Sequence, residues 1–318
     1  MALYQGSGFK KEDGLNCYLE HVVCNICGSQ DYEVLFRSTL NEDDFRQSLA
    51  QYSISQKSPG CGQIVRCKHC GLAYVNPREK HCDMIDNYAM VKDEEYLKES
   101  KSRDITFLRG LRFLERYCPQ KGNLLDVGCF VGLFLRLARD HGWSVQGIEP
   151  SRWAVQYAKE ELNLNVSQGA LEDIRLEDGY FNAATMWDVI EHLPDPQSTL
   201  SLLHRKLKKD GVLLLNTFNY DSIFRKMCGR KYWFIERMHI YYFSPQTLAK
   251  MLMACNYEVL KIIPHFKTLS LGYYVARLKD VSGVLTSLMK PVSSLFGLSK
   301  RNITAYAGQM TVIARKKQ

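Results

Sequence analysis

Two pairs of cysteines near the start of the sequence have the spacing of a metal site. Each pair is a CxxC turn followed by glycine, in the segments CNICG (24–28) and CKHCG (67–71). A CxxC turn brings two thiolates about 4 Å apart, which is the edge length of a zinc–sulfur tetrahedron. Two such turns leave no open position, so we predict a structural zinc that contributes on the order of 10 kcal/mol to folding a small lobe. The predicted ligands are Cys24, Cys27, Cys67 and Cys70.

The remaining cysteines favour a metal site over a disulfide framework. The chain has 11 cysteines in 318 residues, and the seven outside the two pairs are scattered singly. Secreted disulfide scaffolds are usually shorter and carry their cysteines at framework spacings. The alternatives are two reduced pairs in a core, or a thioredoxin-like redox CxxC, which would need a βαβ context that neither pair has.

A glycine-containing segment at residues 126–132, DVGCFVG, is typical of a nucleotide site. It lies between a predicted strand and a predicted helix, where Rossmann-type folds bind their cofactor. Gly128 lets the chain turn close to a ligand, and Gly132 lets the start of the helix pack tightly. Glu149 ends the next predicted strand, where a carboxylate can accept hydrogen bonds from both ribose hydroxyls. Together these features predict an adenosine cofactor.

The residue types of this loop favour S-adenosylmethionine over a dinucleotide. A dinucleotide site needs GxGxxG to seat a pyrophosphate on a helix N-terminus, but Phe130 interrupts that pattern. Asp126 closes the strand with an acid, which repels a pyrophosphate and attracts a sulfonium cofactor that also carries an ammonium group. An oxidoreductase that uses NAD(P)H is therefore a remote alternative.

Strands and helices must alternate in order to position these residues. The sequence predicts helices over residues 131–141 and 151–162, with Ser151 as the N-cap of the second. The alternation implies an α/β fold, a Rossmann-like doubly wound sheet of seven strands. The predicted strands cover residues 123–128, 144–149, 164–167, 183–187, 211–217, 258–263 and 309–314.

Changes in composition and pattern divide the chain into four parts. The cysteine pairs and short β-like runs come first, a polar helix-prone segment follows, and the strand–helix alternation begins after a Pro–Gly boundary near residue 120. We expect a loose lead-in at 1–20, a zinc-ribbon lobe at 21–80, a helical connector at 81–118 and a core at 119–318 with insertions at about 219–243 and 269–300.

The formal net charge of +8 is distributed unevenly. Residues 205–318 carry 20 Lys and Arg against 5 Asp and Glu, a net of +15, whereas residues 1–204 have a net of −7. Such a basic segment suits a phosphate-bearing substrate, an anionic membrane or a nucleic acid, or is a solvated surface. The sequence has no apolar run of the roughly 18 residues that span a membrane and no secretory signal at its start, so we expect a cytoplasmic protein.

Residues 123–218 resemble a class I S-adenosylmethionine-dependent methyltransferase. The matching segments are LLDVGCFVG, GIEPS, MWDVIEHLPDP and LKKDGVLLLNT. The four-cysteine lobe, GLAYVNPR after it and the later MHIYYFSPQTLAKML resemble a narrower group. These are the zinc-binding methyltransferases that act on nucleotide-linked deoxysugars, and related enzymes of polysaccharide biosynthesis. The resemblance extends over about residues 21–265.

The resemblance implies a set of cofactor contacts, with two departures from the family pattern. Phe130 stands where the family loop usually has glycine, so the methionine moiety must fit around a larger side chain. Ala170 stands where many relatives have an acid near the adenine, which leaves that contact to the Leu171 backbone and Glu172. The predicted cofactor-binding residues are Asp126, Gly128, Cys129, Phe130, Gly132, Glu149, Pro150, Leu171, Glu172, Trp187 and Asp188.

Two segments supply candidate catalytic residues. In WDVIEH (187–192) the resemblance makes His192 a candidate base, and the alternative is an imidazole that only caps the loop before Pro194. In the sugar C-methyltransferases the stretch that corresponds to ERMHIYYF (236–243) supplies acid and base groups, and the alternative is aromatic packing. The candidates in that stretch are Glu236, His239 and Tyr242.

We expect C- or O-methylation of a small acceptor, a phosphorylated or nucleotide-linked sugar or a related polysaccharide intermediate. The amphipathic segment 269–300 is interpreted as a helical hairpin that covers the sheet, with a lid, a dimer contact or a peripheral membrane contact as alternatives. A second hypothesis is an RNA methyltransferase. We expect no nucleic-acid partner, because the predicted zinc knuckles expose few basic residues. A third hypothesis is a non-catalytic protein that binds S-adenosylmethionine.

Overall fold

The computed structural model describes residues 19–40, 44, 60–80, 88–278, 287 and 298–317. The strands are β1 Leu19–Glu20, β2 Tyr32–Phe36, β3 Ile64–Cys67, β4 Ala73–Val75, β5 Arg78–Glu79, β6 Asn123–Val127, β7 Ser144–Glu149, β8 Val166–Gln168, β9 Phe181–Trp187, β10 Leu207–Phe218, β11 Tyr241–Tyr242, β12 Tyr257–Ser270 and β13 Asn302–Lys316. The α-helices are α1 Glu94–Lys98, α2 Ser100–Glu115, α3 Leu133–Asp140, α4 Arg152–Glu160, α5 Pro196–Lys206, α6 Ile223–Cys228, α7 Pro245–Ala254 and α8 Leu271–Leu278.

A seven-stranded sheet forms the centre of the protein. Its strand order is β12-β13-β10-β9-β6-β7-β8, and β13 runs antiparallel to both of its neighbours while the other described pairs are parallel. Central parallel strands are covered on both faces and therefore read as continuous apolar runs. In β10 every residue from Gly211 to Phe218 is buried. The predicted α/β, Rossmann-like seven-stranded sheet is confirmed.

The helices that follow β6 and β7 start within two residues of the predicted positions. Ser151 caps α4, since its hydroxyl accepts a hydrogen bond from the amide of Ala154 at 3.2 Å. Gly132 precedes α3 with φ +79°, and a Cβ on it would lie 2.5 Å from Leu164. A side chain at this position would separate the start of α3 from α4 and its following loop, so the predicted tight packing at Gly132 is confirmed.

The cysteine-containing lobe is built into the rest of the protein by a strand from a distant segment. A four-stranded sheet has the order β11-β4-β3-β2, and β11 lies in the predicted insertion 219–243. The side chains of Tyr74 in β4 and Tyr241 in β11 are both almost fully buried and belong to one apolar cluster with the core. The insertion therefore positions the lobe against the end of the large sheet.

The segment predicted as an amphipathic hairpin differs from the expectation at both ends. β12 continues to Ser270 and β13 begins at Asn302, and the two pair along their whole length. The described part of the segment then contains α8 and a short 3-10 turn, Leu298–Lys300. Residues 279–286 and 288–297 lie outside the described residues. Within the described part of the chain, no helix combines the length and apolar character needed to cross a membrane.

Candidate active site and cysteine cluster

A cavity of about 780 Å³ opens at the carboxyl ends of β6, β7, β9 and β10. This is the edge at which open parallel sheets bind their ligands. The cavity is further bordered by α1 and α2, by β12 and β13, and by the 219–243 insertion. The sequence-predicted residues that line it are Asp126, Gly128, Cys129, Phe130, Glu149, Pro150, Leu171, Glu172, Trp187, Asp188, His192, Glu236 and His239.

Two predicted site residues do not line this cavity. Gly132 lies behind the loop, where it serves packing at the start of α3. Tyr242 is buried in β11, and its hydroxyl lies 3.5 Å from the backbone oxygen of Glu236. The structure therefore places Tyr242 in the aromatic packing beneath the site, which was the alternative interpretation of that stretch.

Glu149 holds the loop after β6 in place. Its two carboxylate oxygens accept hydrogen bonds from the amides of Phe130 at 2.9 Å and Ser151 at 2.8 Å. Phe130 has φ +47°, a conformation that costs a residue with a side chain roughly 1–2 kcal/mol. Its ring packs on Tyr96 and Trp153, with centroids 4.7 Å and 5.7 Å apart. The hydrogen bond to Glu149 and the packing of the ring stabilise this loop conformation, although Phe130 stands at a position where glycine was expected.

Two acids at the end of the cavity predicted to hold the cofactor have strongly shifted pKa values. Burial, opposed by a hydrogen bond from Thr185 at 2.6 Å, raises the pKa of Asp126 to about 8. Burial also raises the pKa of Glu149 to about 7, against the effect of the two backbone amides. Both side chains therefore take up protons near neutral pH, and a cationic ligand would favour their ionised forms.

Asp188 is held ionised by residues from three other strands or loops. Burial opposes its ionisation, but the Lys267 ammonium 2.5 Å away holds the pKa of Asp188 below its ordinary value. The side-chain amides of Asn216 and Gln309 each donate to Asp188 at 2.8 Å. The carboxylate at the end of β9 is thus fixed in orientation and in charge.

The part of the cavity predicted to hold the adenine contains a hydrogen bond between two side chains. The hydroxyl of Thr199 donates to Glu172 at 2.5 Å, and Leu171 is buried beside it at the start of a 3-10 turn. Both Leu171 and Glu172 line the cavity, as does the neighbouring Pro150. Glu172 is therefore a hydrogen-bond acceptor that α5 already orients.

Two histidines face each other at the opposite end of the cavity. The imidazole rings of His192 and His239 have centroids 4.6 Å apart. Nδ1 of His192 lies 2.9 Å from the Met238 carbonyl oxygen, and it also contacts the Tyr88 hydroxyl. Nδ1 of His239 lies 2.7 Å from the Phe234 carbonyl oxygen. A carbonyl oxygen only accepts, so both Nδ1 atoms donate a hydrogen and both Nε2 atoms keep a lone pair.

Burial sets the charge of this histidine pair. Burial, together with the neighbouring His239, lowers the pKa of His192 to about 3, and burial lowers that of His239 to about 4. Both imidazoles are therefore neutral at pH 7. Glu191 is also buried, and burial raises its pKa above the ordinary value. Glu236 Oε1 lies 3.4 Å from Nε2 of His239.

The four predicted zinc ligands lie together in the N-terminal lobe. Their sulfurs are all within 4.8 Å of one another, with 3.3 Å between Cys24 and Cys70 and 3.5 Å between Cys27 and Cys67. These separations are far longer than a disulfide and are close to the edge of a zinc–sulfur tetrahedron. Although burial opposes it, the amides of Cys70 and His69 lower the pKa of Cys67 to about 7. The cluster has the size and the donor atoms that fit one zinc ion.

A family model described as a methyltransferase domain matches residues 97–262, which is just over half of the chain. The chain belongs to this methyltransferase-domain family.

Curated relatives match a shorter stretch of this methyltransferase-domain protein. The ubiquinone biosynthesis O-methyltransferase of Haemophilus ducreyi is 36% identical over 133 residues, which cover 37% of this chain and 56% of the relative. The protein of the same name from Coxiella burnetii is 29% identical over 132 residues, 39% of this chain and 56% of the relative. The chain thus spans about half the length of these relatives. Both are named for ubiquinone biosynthesis rather than for sugar methylation.

Solved structures of methyltransferases are similar over most of the core. A SAM-dependent methyltransferase from Archaeoglobus fulgidus covers 70% of this chain and aligns over 100% of its own, with a TM-score of 0.49 and 22% identity. A possible histamine N-methyltransferase from Thermotoga maritima covers 70% of this chain and aligns over 94% of its own, with a TM-score of 0.48 and 19% identity.

Several residues that complete the cavity have no motif around them in the sequence. Tyr96 and Arg103 come from α1 and α2, and the Arg103 guanidinium lies 3.8 Å from the centre of the Tyr96 ring. His265 and Lys267 come from β12, beyond the end of the strand predicted there. The available signal was the spacing of His265 and Lys267, since residues two positions apart on a strand project to the same face of a sheet.

Proposed function

We propose that this protein transfers a methyl group from S-adenosylmethionine to a small acceptor bound in the cavity. One observation carries the proposal. Asp126, Glu149 and Asp188 end three neighbouring strands along one half of the cavity, and two neutral imidazoles line the other half. When bound, S-adenosylmethionine supplies a methyl group on a positively charged sulfur. Acids beside the cofactor and neutral bases beside the acceptor match that distribution of charge.

The cofactor half fits S-adenosylmethionine in its donor set and in its shape. A Cβ on Gly128 would lie 2.6 Å from Val189, so only glycine leaves the loop this close to the β9 end. Glu149 is buried and lines the cavity, where its charge suits the ribose hydroxyls. The Trp187 indole nitrogen is buried without a hydrogen-bond partner among the described residues, so it supplies an unused donor beside this space.

The acceptor half contains the groups that activate and enclose an acceptor. His192, His239 and Glu236 converge on one space, and their lone pairs can lower the cost of removing a proton from an acceptor group held there. Trp233, Phe234 and Tyr306 line the adjoining wall. Aromatic walls exclude water from the reacting atoms, which strengthens every charge interaction in the cavity.

The proposed acceptor is a phosphorylated or nucleotide-linked sugar or a polysaccharide intermediate. Arg103, Lys267 and Arg277 line the cavity on the side of α2, β12 and α8. Lys267 is paired with Asp188, and the guanidinium of Arg277 lies 5.6 Å from the centre of the Tyr273 ring. Guanidinium groups beside aromatic rings suit a phosphate next to a sugar or base.

The second candidate acceptor is a phenol. The curated relatives are named O-methyltransferases, which implies methylation of an oxygen in those proteins. The specific observation in its favour is the aromatic character of the wall, to which Tyr273, Tyr274 and Tyr306 contribute. A flat aryl ring would pack on this wall, whereas a sugar would leave much of it without polar contacts. A panel that contains both acceptor classes separates the two candidates.

We also propose that the four cysteines hold a structural zinc ion. All four tetrahedral positions would be occupied by sulfur, so the ion would have no site for substrate or water. Its contribution would be to the folding of the lobe, whose β4 supports β11 behind the acceptor half of the cavity.

The test uses the full chain and a labelled methyl donor. We expect mass spectrometry to find labelled product from a nucleotide sugar in a panel that also contains phenols and tRNA. Cofactor binding by calorimetry without any labelled product would favour the non-catalytic hypothesis instead. His192→Ala and His239→Ala should each lower turnover and leave cofactor affinity unchanged, with exposed His141→Ala as the control. Wild-type rates in both variants would reassign the two histidines to packing.

A further inference from the structure

Three metal-ligand side chains converge at the acceptor end of the cavity, apart from the cysteine cluster. The ligand atoms of Glu191, His192 and His239 all lie within 4.8 Å of one another. All three residues line the cavity. Glu191 and His192 are adjacent in the loop after β9, whereas His239 comes from the 219–243 insertion. The convergence is therefore produced by the tertiary structure.

The hydrogen bonds of the two histidines leave their other nitrogens available. Each Nδ1 donates to a backbone carbonyl, Met238 for His192 and Phe234 for His239. Metal-binding histidines are usually oriented in this manner, by a hydrogen bond from the nitrogen that does not bind the metal. The tautomer that these bonds require places a lone pair on each Nε2.

Glu191 supplies an independent observation. Its side chain is 1% exposed, and its Oε2 atom is buried with no hydrogen-bond partner among the described residues. A buried carboxylate oxygen without a partner is costly, so such an atom normally faces a donor, a proton or a cation. Here it lies beside two imidazoles that present lone pairs rather than hydrogens. A cation among these groups would pair with the Glu191 oxygen and with both imidazole lone pairs at once.

We propose that Glu191, His192 and His239 bind a divalent transition-metal ion at the acceptor end of the cavity. Two imidazoles and one carboxylate suit zinc, iron, cobalt or manganese better than magnesium or calcium, which prefer ligand sets made of oxygen alone. Three protein ligands leave coordination positions open towards the cavity, as in metal sites that act on substrates. Lys267 is one nearby cation, and its charge is balanced by Asp188 at 2.5 Å.

The site modifies the proposed function, on which its biological role rests. With the ion bound, the two Nε2 atoms would be its ligands, and Glu236 would be the base that remains beside the acceptor. An ion there would contact an oxygen of the acceptor, so it selects acceptors with a hydroxyl or carbonyl oxygen and favours O-methylation or reaction next to a carbonyl. Binding of the ion is independent of methyl transfer and is measured without an acceptor.

The experiment titrates the full-length, zinc-loaded protein with Co²⁺. We expect one further equivalent to bind and to produce visible d–d absorption without the intense near-ultraviolet bands of a cobalt–thiolate site. Those bands would reveal exchange into the cysteine cluster. Glu191→Gln and His239→Ala should weaken this binding at least ~10–100-fold, because even the loss of an outer-shell partner has that effect. His141→Ala, at an exposed imidazole on α3's C-cap, is the matched control.

Two results would overturn the metal site. One is the absence of any Co²⁺ or Mn²⁺ binding beyond the cysteine cluster at millimolar concentration. The other is equal binding by the wild type, Glu191→Gln and His239→Ala. Glu191→Gln changes the side-chain shape very little, so this variant tests the metal site if His239→Ala fails to fold. S-adenosylmethionine affinity is measured on the same samples. If the protein does not bind S-adenosylmethionine but still binds Co²⁺, the proposed function is rejected and the metal site is not.

Discussion

The two halves of the cavity differ in how far apart their residues lie in the sequence. At the cofactor half, Asp126, Glu149 and Asp188 come from the ends of parallel strands within 63 positions of one another. At the acceptor half, Tyr88 contacts His192 across 104 positions, and Arg78 reaches the Pro194 carbonyl across 116. The cofactor half therefore follows from a local strand–loop–helix motif, whereas the acceptor half depends on the packing of the insertion, β12 and the cysteine lobe.

This difference implies that substitutions can impair one half of the cavity and leave the other half intact. The lobe contacts the acceptor half through β4 and β11, through the Val75 amide that donates to the Ile240 carbonyl at 2.9 Å, and through Arg78, which donates to the Pro194 carbonyl at 2.7 Å. The cofactor loop is instead tied to β7 by the amide of Gly128, 2.8 Å from the Ile148 carbonyl. The following predictions test that separation, in order of decreasing effect.

Cys67→Ser should have the largest effect, because it removes one of the four ligands of the proposed zinc ion. We expect the loss of a large part of the roughly 10 kcal/mol that such an ion supplies to the lobe, and therefore loss of turnover. S-adenosylmethionine affinity, measured by calorimetry, should change little. Cys228→Ser, at a half-buried thiol outside the cluster, is the control. Equal loss of cofactor binding would show that the two halves fold as one unit.

Glu149→Gln should affect the cofactor half alone. The amide would place hydrogens against the backbone N–H of Phe130 or Ser151 and would lose its charge towards the ribose. We expect S-adenosylmethionine affinity to fall by about 1–3 kcal/mol, the value of a hydrogen bond to a charged group. Glu160→Gln, at an exposed carboxylate of α4, is the control. Unchanged affinity would reject the role of Glu149, and loss of Co²⁺ binding would reject the separation of the halves.

Cofactor affinity should rise with pH between about 6 and 9. The pKa values of Asp126 and Glu149 in the cavity are about 8 and about 7, so both ionise across this range. A cationic cofactor favours the ionised forms, and its binding therefore releases protons, with an increase of up to about tenfold in affinity per unit of pH for each group that titrates. Calorimetry in buffers of different ionisation enthalpy measures the proton release. A flat profile would show that neither acid responds to the cofactor's charge.

Asp126→Asn should have the smallest effect, and it should raise rather than lower the free energy of unfolding. The folded pKa of Asp126 is raised from 3.8 to about 8, so the stability it contributes is complete below its unfolded pKa and is lost as the pH rises through about 8. The Asn variant lacks this loss and can still accept the Thr185 hydrogen bond. Without cofactor at pH 9, we expect its free energy of unfolding to exceed that of the wild type by at least ~1 kcal/mol. Denaturant titration beside exposed Asp140→Asn checks this.

Local pattern was sufficient for the elements of the core. The apolar runs of β6 and β9, the Ser151 cap and the glycines at 128 and 132 each encode their own conformation within a few residues, so strand, turn and helix start could be predicted there. The lengths of β12 and β13 could not. Their outer halves, Phe266 to Ser270 and Asn302 to Tyr306, are stabilised by pairing with each other and by α2, where the Thr106 hydroxyl accepts a hydrogen bond from the Thr268 amide at 2.8 Å.

The sequence by itself determined the Rossmann-like sheet, the convergence of Asp126, Glu149 and Asp188 at its carboxyl edge, and the grouping of four cysteines. These features depend on the periodicity of apolar residues and on short spacings between motif residues, and both can be read directly from the sequence. Only the tertiary structure decided that Tyr242 supports the site from beneath, that Lys267 fixes Asp188, and that Glu191 meets two histidines. Those contacts form because the lobe, the insertion and the sheet edge bury their apolar surfaces against one another, which brings together segments that are far apart in the chain. A local sequence pattern contains no information about such contacts.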